Sequence, residues 1–260
     1  MTIPQFIHDD VKLNYEVAGN PDKPWLFFSH SLGTNLSMWD PQLATFSSSF
    51  ALLRFDHRGH GQSSARPGDY TVESLAEDVL ALADHVGAER FHFCGLSLGG
   101  LIGQWLGLYA PERLGKLVLC NTAARIGSAE GWTERMRVVE SDGITAIVES
   151  GLQRWFTPQF ICQHPDIAER FRSMILSTVS EGYVAHCAAL RDTDFQSRIH
   201  AVPVPVLVVC GRYDPVTTVA EANFLVDSIA DARILQLDAA HLSNVEQADE
   251  FNRTVAQFLA

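Results

Sequence analysis

Residues 91–105 read FHFCGLSLGGLIGQW, and the order of their physical properties decides the fold. Positions 91–94 are a short apolar run of the kind that forms a strand buried on both faces of a sheet. Gly95-Leu96-Ser97-Leu98-Gly99-Gly100 then sets one serine among glycines. Residues 99–109 are apolar on almost every side and stop at Pro111, as a central buried helix would. Strand, glycine-flanked serine and helix together describe a sharp turn that holds the Ser97 hydroxyl exposed at its apex. The next backbone N–H, that of Leu98, falls at the helix start, where developing negative charge is stabilised. A glycine-rich turn with an incidental serine is the plain alternative, and the elements on either side argue against it.

Working outward, similar short apolar runs occupy residues 25–29, 52–55, 116–120, 206–210 and 233–237. Residues 5–8 and 12–17 pair naturally as a hairpin across Asp9-Asp10. Val72, Leu75, Ala76, Val79, Leu82, Ala83 and Val86 share one face of a helix that starts after Thr71 and ends at Gly87. A hairpin followed by β-α units predicts an α/β fold: a mostly parallel open sheet flanked by helices. Residues 121–195 interrupt the pattern with helical periodicity (132–140, 144–155, 167–178, 184–190) and no convincing strand. This predicts a core of residues 1–121 and 196–260, with a helical cap over 122–195 inserted after the sixth strand.

The composition suits a single large soluble domain, 47% hydrophobic and 19% charged over 260 residues. A formal charge of −12 leaves no basic footprint for nucleic acid or an anionic membrane, so neither is an expected partner. Anionic small molecules would need a local cationic pocket. The first ten residues show no secretory leader, and the apolar runs are too short to span a bilayer. Five cysteines without C-x-x-C spacing suggest buried free thiols, no zinc site and a reduced, cytoplasmic setting. The histidines at 8, 57, 60, 85, 92, 164, 186 and 200 have no metal-ligand spacing and are read as structural or surface residues.

A serine hydroxyl needs a base, and the base needs a carboxylate to orient it. Asp214 follows the strand at 206–210 in Cys-Gly-Arg-Tyr-Asp-Pro, and His241 follows the last strand ahead of the terminal helix. Ser97, Asp214, His241 is the chain order that this architecture uses. Asp192, Asp194 and Asp238 are weaker candidates for the acid, and the position after the sixth strand holds Cys120-Asn121, with no carboxylate. His30-Ser31-Leu32-Gly33, after the strand at 25–29, is the loop expected to supply the second oxyanion donor, assigned to the Leu32 N–H.

With these residues the chain resembles the α/β-hydrolase family over nearly its full length. Asp56-His57-Arg58-Gly59-His60-Gly61-Gln62-Ser63 is similar to that family's D-x-R-G-x-G-x-S loop, whose part is mainly structural. Within the family, His30 to Thr34 with Met38-Trp39-Asp40, Gly95 to Trp105, and Ala239 to Gln247 resemble 3-oxoadipate enol-lactonases of the β-ketoadipate pathway of aromatic degradation. Ser31 departs from the His-Gly common in the wider family but is at home in this subgroup. The resemblance implies cofactor-free, metal-free opening of a carboxylate-bearing lactone through an acyl-enzyme on Ser97. It also implies a cation facing the pocket. Of Arg125, Arg135, Arg137, Arg154, Arg170, Arg172 and Arg191, most are solvated helix-face charges, and Arg135 is the favoured ligand. Trp132 and Trp155 are read first as cap core, Trp132 also as a candidate substrate contact. A carbon–carbon bond hydrolase of ring-cleavage products, a general carboxylesterase, a perhydrolase or haloperoxidase, and a small-molecule receptor on a hydrolase fold are the competing readings.

Overall fold

The structure is a computed structural model that describes residues 5–260. Eight strands form one sheet: β1 (Gln5–His8), β2 (Val11–Gly19), β3 (Trp25–Ser29), β4 (Ala51–Phe55), β5 (Phe91–Leu96), β6 (Leu114–Cys120), β7 (Val206–Gly211) and β8 (Ala232–Leu237). Their spatial order is β1-β2-β4-β3-β5-β6-β7-β8. β1 pairs antiparallel with β2, and β2 with β4; all remaining pairs are parallel. The expected mostly parallel sheet is therefore present. The order reverses around β3 and β5, and open sheets of this kind place ligand crevices beyond the carboxyl ends of strands at such a reversal.

Helices α1 (Asp40–Phe46), α2 (Val72–His85) and α3 (Leu98–Tyr109) precede β6. α2 begins with a capping box in which Thr71 accepts from the Ser74 N–H. α3 is buried along nearly its whole length, which explains its lack of an apolar stripe. Five helices lie between β6 and β7: α4 (Ala129–Asp142), α5 (Val148–Trp155), α6 (Pro158–Gln163), α7 (Pro165–Ser177) and α8 (Ser180–Asp192). α4 packs on α8, and α5 on α7. The two ends of this insertion meet where the Phe195 N–H donates to the Ala124 carbonyl at 2.8 Å. After β7 come α9 (Val219–Ser228), then β8, α10 (Ser243–Glu246) and α11 (Ala248–Leu259). α1, α6 and α9 go beyond the elements anticipated from periodicity.

The core is continuous from the sheet into the inserted helices, with Trp39, Phe27, Phe28 and Phe93 buried below and Phe156 and Phe171 above. The Asp56 loop acts as the structural clamp expected of it. Its carboxylate accepts from Asn14 Nδ2 at 2.7 Å, the Leu36 N–H at 2.8 Å and the Gln62 N–H at 2.9 Å. Arg58 forms a buried two-pronged pair with Asp78 at 2.6 and 2.7 Å. No helix among the described residues is long and apolar enough to cross a membrane.

Candidate active site

β3 and β5 run side by side with Ser29 opposite Gly95, so the loops leaving their carboxyl ends start at the same level. That register brings Leu32 and Ser97 to one cavity. Ser97 sits between β5 and α3 with φ 59° and ψ −112°. A non-glycine residue adopts such a backbone only when its surroundings enforce it. Here the Ser97 N–H donates to the Cys120 carbonyl at 2.9 Å, while its own carbonyl accepts from Thr122 Oγ1 at 2.9 Å and the Leu101 N–H at 3.1 Å. The flanking glycines permit the tight approach: a Cβ on Gly95 would collide with the Gly99 carbonyl, and one on Gly99 with that of Ser29.

His241 and Asp214 arrive on the loops after β8 and β7, which are neighbours in the sheet. His241 Nδ1 and Asp214 Oδ2 are 2.8 Å apart, and both side chains are almost fully buried. Asp214 Oδ2 also accepts from Thr217 Oγ1 at 2.7 Å and Asn121 Nδ2 at 2.9 Å. Its Oδ1 accepts from the N–H groups of Val216 (2.8 Å) and Thr217 (3.1 Å). Burial alone would push this carboxyl up; the His241 ring and the donated hydrogen bonds outweigh it and hold the pKa down to about 2. Asp214 is thus an anion fixed at the Nδ1 edge of the imidazole. His241 lines the same cavity as Ser97 and is bonded only through Nδ1 among the described residues; the contact from Nε2 to a serine often closes only with substrate bound. The weaker acid candidates lie elsewhere, Asp192 paired with Arg191, Asp194 with Arg125, and Asp238 with Arg212.

The N–H groups of Leu32 and Leu98 donate to no backbone carbonyl among the described residues. Leu98 opens α3, so its N–H belongs to the helix's unsatisfied first turn. Leu32 lines the same cavity as Ser97, and Leu98 is the next residue in the chain after it.

The cavity, about 60 Å³, is lined on its cap side by Trp132, Arg135, Arg154, Trp155 and Tyr183, with Ile147, Ile175 and Leu190. A larger groove of about 700 Å³ runs past Gln159, Tyr213 and Gln247 and includes none of Ser97, Asp214 and His241. The arginines sort clearly. Arg125, Arg137, Arg170, Arg172 and Arg191 each pair with a carboxylate. Arg135 reaches only the Tyr183 hydroxyl, at 3.5 Å, and Arg154 has no carboxylate partner among the described residues. Burial, and the nearby charge of Arg135, lower the Arg154 pKa. Arg154, Tyr183 and Asn121 were not singled out from sequence; which arginines lack a carboxylate depends on tertiary pairing. Both tryptophans pack in the cap and line the cavity, and Trp132 Nε1 is anchored to the Ile126 carbonyl at 2.6 Å.

A strained serine after a parallel strand, sharing a cavity with a histidine held by a buried aspartate, defines a class of fold and site together. A family model of the alpha/beta hydrolase fold matches residues 24–248, and the chain belongs to the α/β-hydrolase family. It is 44% identical to 3-oxoadipate enol-lactonase 2 of Acinetobacter baylyi over 95% of this chain and 92% of that protein. It is 35% identical to 3-oxoadipate enol-lactonase 1 of the same organism, over the same shares of each chain. The crystal structure of the enol-lactonase from Burkholderia xenovorans LB400 superposes with a TM-score of 0.97 at 41% identity, covering 98% of this chain and 99% of that one.

If Asp214 acts by holding His241 in one tautomer, the neutral isostere should remove that control. Asp214→Asn is expected to lower kcat about 10⁴-fold with a native circular dichroism spectrum. A loss below tenfold would assign the orienting role to another group.

Proposed function

We propose that this chain hydrolyses 3-oxoadipate enol-lactone to 3-oxoadipate, with Ser97 as nucleophile, His241 as general base and acid, and Asp214 as its orienting carboxylate. The observation that carries this reading is the pair of arginines without carboxylate partners, Arg135 and Arg154, over a small cavity at the serine. In a protein of net charge −12, two such half-buried cations at one cavity make a local positive spot suited to an anionic ligand. The identity with the two enol-lactonases of Acinetobacter baylyi supports the same substrate.

Ser97 Oγ attacks the lactone carbonyl as His241 Nε2 takes its proton, and the charge that develops on oxygen is met by the N–H groups of Leu32 and Leu98. Collapse of the tetrahedral intermediate breaks the ring C–O bond and expels an enolate that ketonises to the 3-oxo acid. His241 then activates water, which releases the acyl group and restores Ser97. No cofactor or metal enters these steps. The side-chain carboxylate of the lactone sits against Arg135 and Arg154, next to Trp132. Residues 122–195 form the cap that carries these groups, and residues 5–121 and 196–260 form the core that carries the triad; the first four residues of the expected core, 1–4, lie outside the described residues. The free thiols suit a reduced cytoplasmic setting.

The arginines provide the test. Arg135→Leu and Arg154→Leu are each expected to raise KM for the lactone about 10- to 100-fold, the value of one charge-assisted hydrogen bond. The methyl ester of the lactone's side-chain carboxylate should suffer the same loss with wild-type enzyme and none further with the variants. Unchanged KM in both variants would discard the carboxylate site, and a wild type that prefers neutral phenyl esters would favour a general esterase instead.

A further inference from the structure

Four histidines from three separate parts of the chain meet behind the oxyanion loop: His30 after β3, His57 and His60 after β4, and His186 on α8. All are at most 2% exposed. His30 and His57 stack with ring centres 3.8 Å apart, and His60 meets His186 edge-on at 4.5 Å. None of the catalytic steps above uses them.

Their hydrogen bonds converge on Leu32. The Ser31 carbonyl accepts from Thr34 Oγ1 at 2.8 Å and the Thr34 N–H at 3.2 Å, and His30 Nδ1 lies 2.8 Å from it. On the other side of Leu32, the Gly33 N–H donates to His60 Nε2 at 3.0 Å. The peptides before and after Leu32 are therefore both clamped. In a planar trans peptide the N–H points opposite to the C=O. Fixing the Ser31 carbonyl on its histidine and threonine partners thus turns the Leu32 N–H the other way.

Backbone donors also settle the tautomers. The His57 N–H donates to His30 Nε2 at 3.0 Å, so the His30 proton sits on Nδ1 and is donated to Ser31. Because Gly33 donates to His60 Nε2, His60 carries its proton on Nδ1. Each ring must be neutral, since an imidazolium would present a proton to a backbone N–H. Burial, with the neighbouring rings adding to it, lowers both pKa values to about 3, in keeping with that geometry. Gly33 itself has φ +77°, a backbone that favours glycine, and the cap side chains Tyr183 and Trp155 lie just beyond it.

We propose that His30 and His60 are positioning residues of the oxyanion hole, holding the peptides on either side of Leu32 so that its N–H faces the acyl oxygen at Ser97. This rests on the acyl-enzyme reading above, but not on the lactone as substrate. The acceptor atom of His60 makes the role separable from packing: in His60→Gln an amide oxygen can take the place of Nε2, whereas His60→Leu removes the acceptor and keeps an apolar side chain.

Both variants, with Thr34→Val, would be assayed on the enol-lactone and on p-nitrophenyl acetate, with melting temperatures recorded. His60→Leu is expected to lower kcat on either substrate about 100-fold, the scale of one lost oxyanion donor, with KM within about threefold. His60→Gln should recover kcat to within about tenfold of wild type, and Thr34→Val should lose roughly tenfold. If His60→Leu does not fold, the Gln and Val variants carry the test. Wild-type kcat in His60→Leu or in Thr34→Val, or equal kcat losses in the Gln and Leu variants, would overturn the proposal. A wild type active on the ester but not on the lactone overturns the substrate assignment alone. Inactivity on both overturns the two together.

Discussion

Replacing Ser97 with alanine is expected to lower kcat for the enol-lactone by about 10⁵- to 10⁶-fold while the protein keeps its fold and its affinity for the substrate carboxylate. The size of the loss follows from covalent catalysis: without Oγ there is no acyl-enzyme, and only the oxyanion donors and the binding groups remain. The fold should survive because Ser97 is held through its backbone, by the Cys120 carbonyl, Thr122 and Leu101, none of which needs the hydroxyl. Alanine at φ 59° keeps the strain already present rather than adding to it. A fluorophosphonate should label wild type at Ser97 alone and leave the variant unmodified. A variant retaining more than about one-thousandth of wild-type kcat would move the nucleophile to another residue.

The second large effect concerns stability. Below about pH 6.5 the protein is expected to lose stability steeply, with acid unfolding centred between about pH 4 and 5. The cause is the histidine cluster behind the oxyanion loop. Burial lowers the pKa of His30 and His60 to about 3, and burial together with neighbouring histidines places those of His57 and His186 well below the ordinary value. In the unfolded chain all four titrate near 6.5. As pH falls through 6.5 the unfolded state takes up protons that the folded state refuses, so stability is full above that value and declines below it. Each group contributes about 1.4 kcal/mol per pH unit, and four together about 5 kcal/mol per unit, against a total stability of about 5–15 kcal/mol.

Asp214, held at about 2, adds to the loss only as the pH falls from its unfolded value near 3.8 toward 2. Asp56 and Asp78 oppose it, because burial raises their pKa values and they accept protons more readily in the folded chain. Two carboxyls do not offset four histidines. Urea midpoints measured between pH 8 and 5 would show the slope, and His186→Phe should make it shallower by about one proton. Constant stability from pH 7 to 5 would mean that the cluster is charged or hydrated in the folded protein.

The candidate residues Ser97, Asp214 and His241 could be picked out in the sequence because each stands within a few residues beyond the carboxyl end of a strand, where an open sheet puts its functional groups. Ser97 follows β5, Asp214 follows β7 and His241 follows β8. The central strands were legible because burial on both faces writes itself as continuous apolar runs, while the hairpin strand β2 showed as alternation; the readings fell two or three residues short at β2, β5 and β6. Helices α1 and α6, with seven and six residues, are too brief to complete a hydrophobic period. α9 did leave a sign, the Thr218 and Glu221 capping box, which periodicity does not register. What a single chain cannot display is pairing across elements. Arg154 looks like any cap arginine until its neighbours are known to lack a carboxylate for it. The histidines of the cluster, spread from position 30 to 186, have no spacing to connect them.

The identities of Asn121 and Thr217 make sense in the same light. Asn121 occupies the position after β6 that has no carboxylate of its own, and it serves the acid from the next strand, donating to Asp214 Oδ2 while accepting from Ser243 Oγ at 2.5 Å. Its φ of 41° is one that asparagine tolerates better than most residues. The cap reaches the same region through the Leu242 N–H, which donates to the Trp155 carbonyl at 2.9 Å beside His241.

Opening of a charged enol-lactone at Ser97 is tested by following freshly generated 3-oxoadipate enol-lactone through its ultraviolet absorbance, with phenyl acetate in parallel. The expected kcat/KM for the lactone is about 10⁵ M⁻¹s⁻¹ or more, at least about 100-fold above that for the ester. Lactone turnover no faster than that of phenyl acetate would contradict it and leave a serine esterase with a different natural substrate.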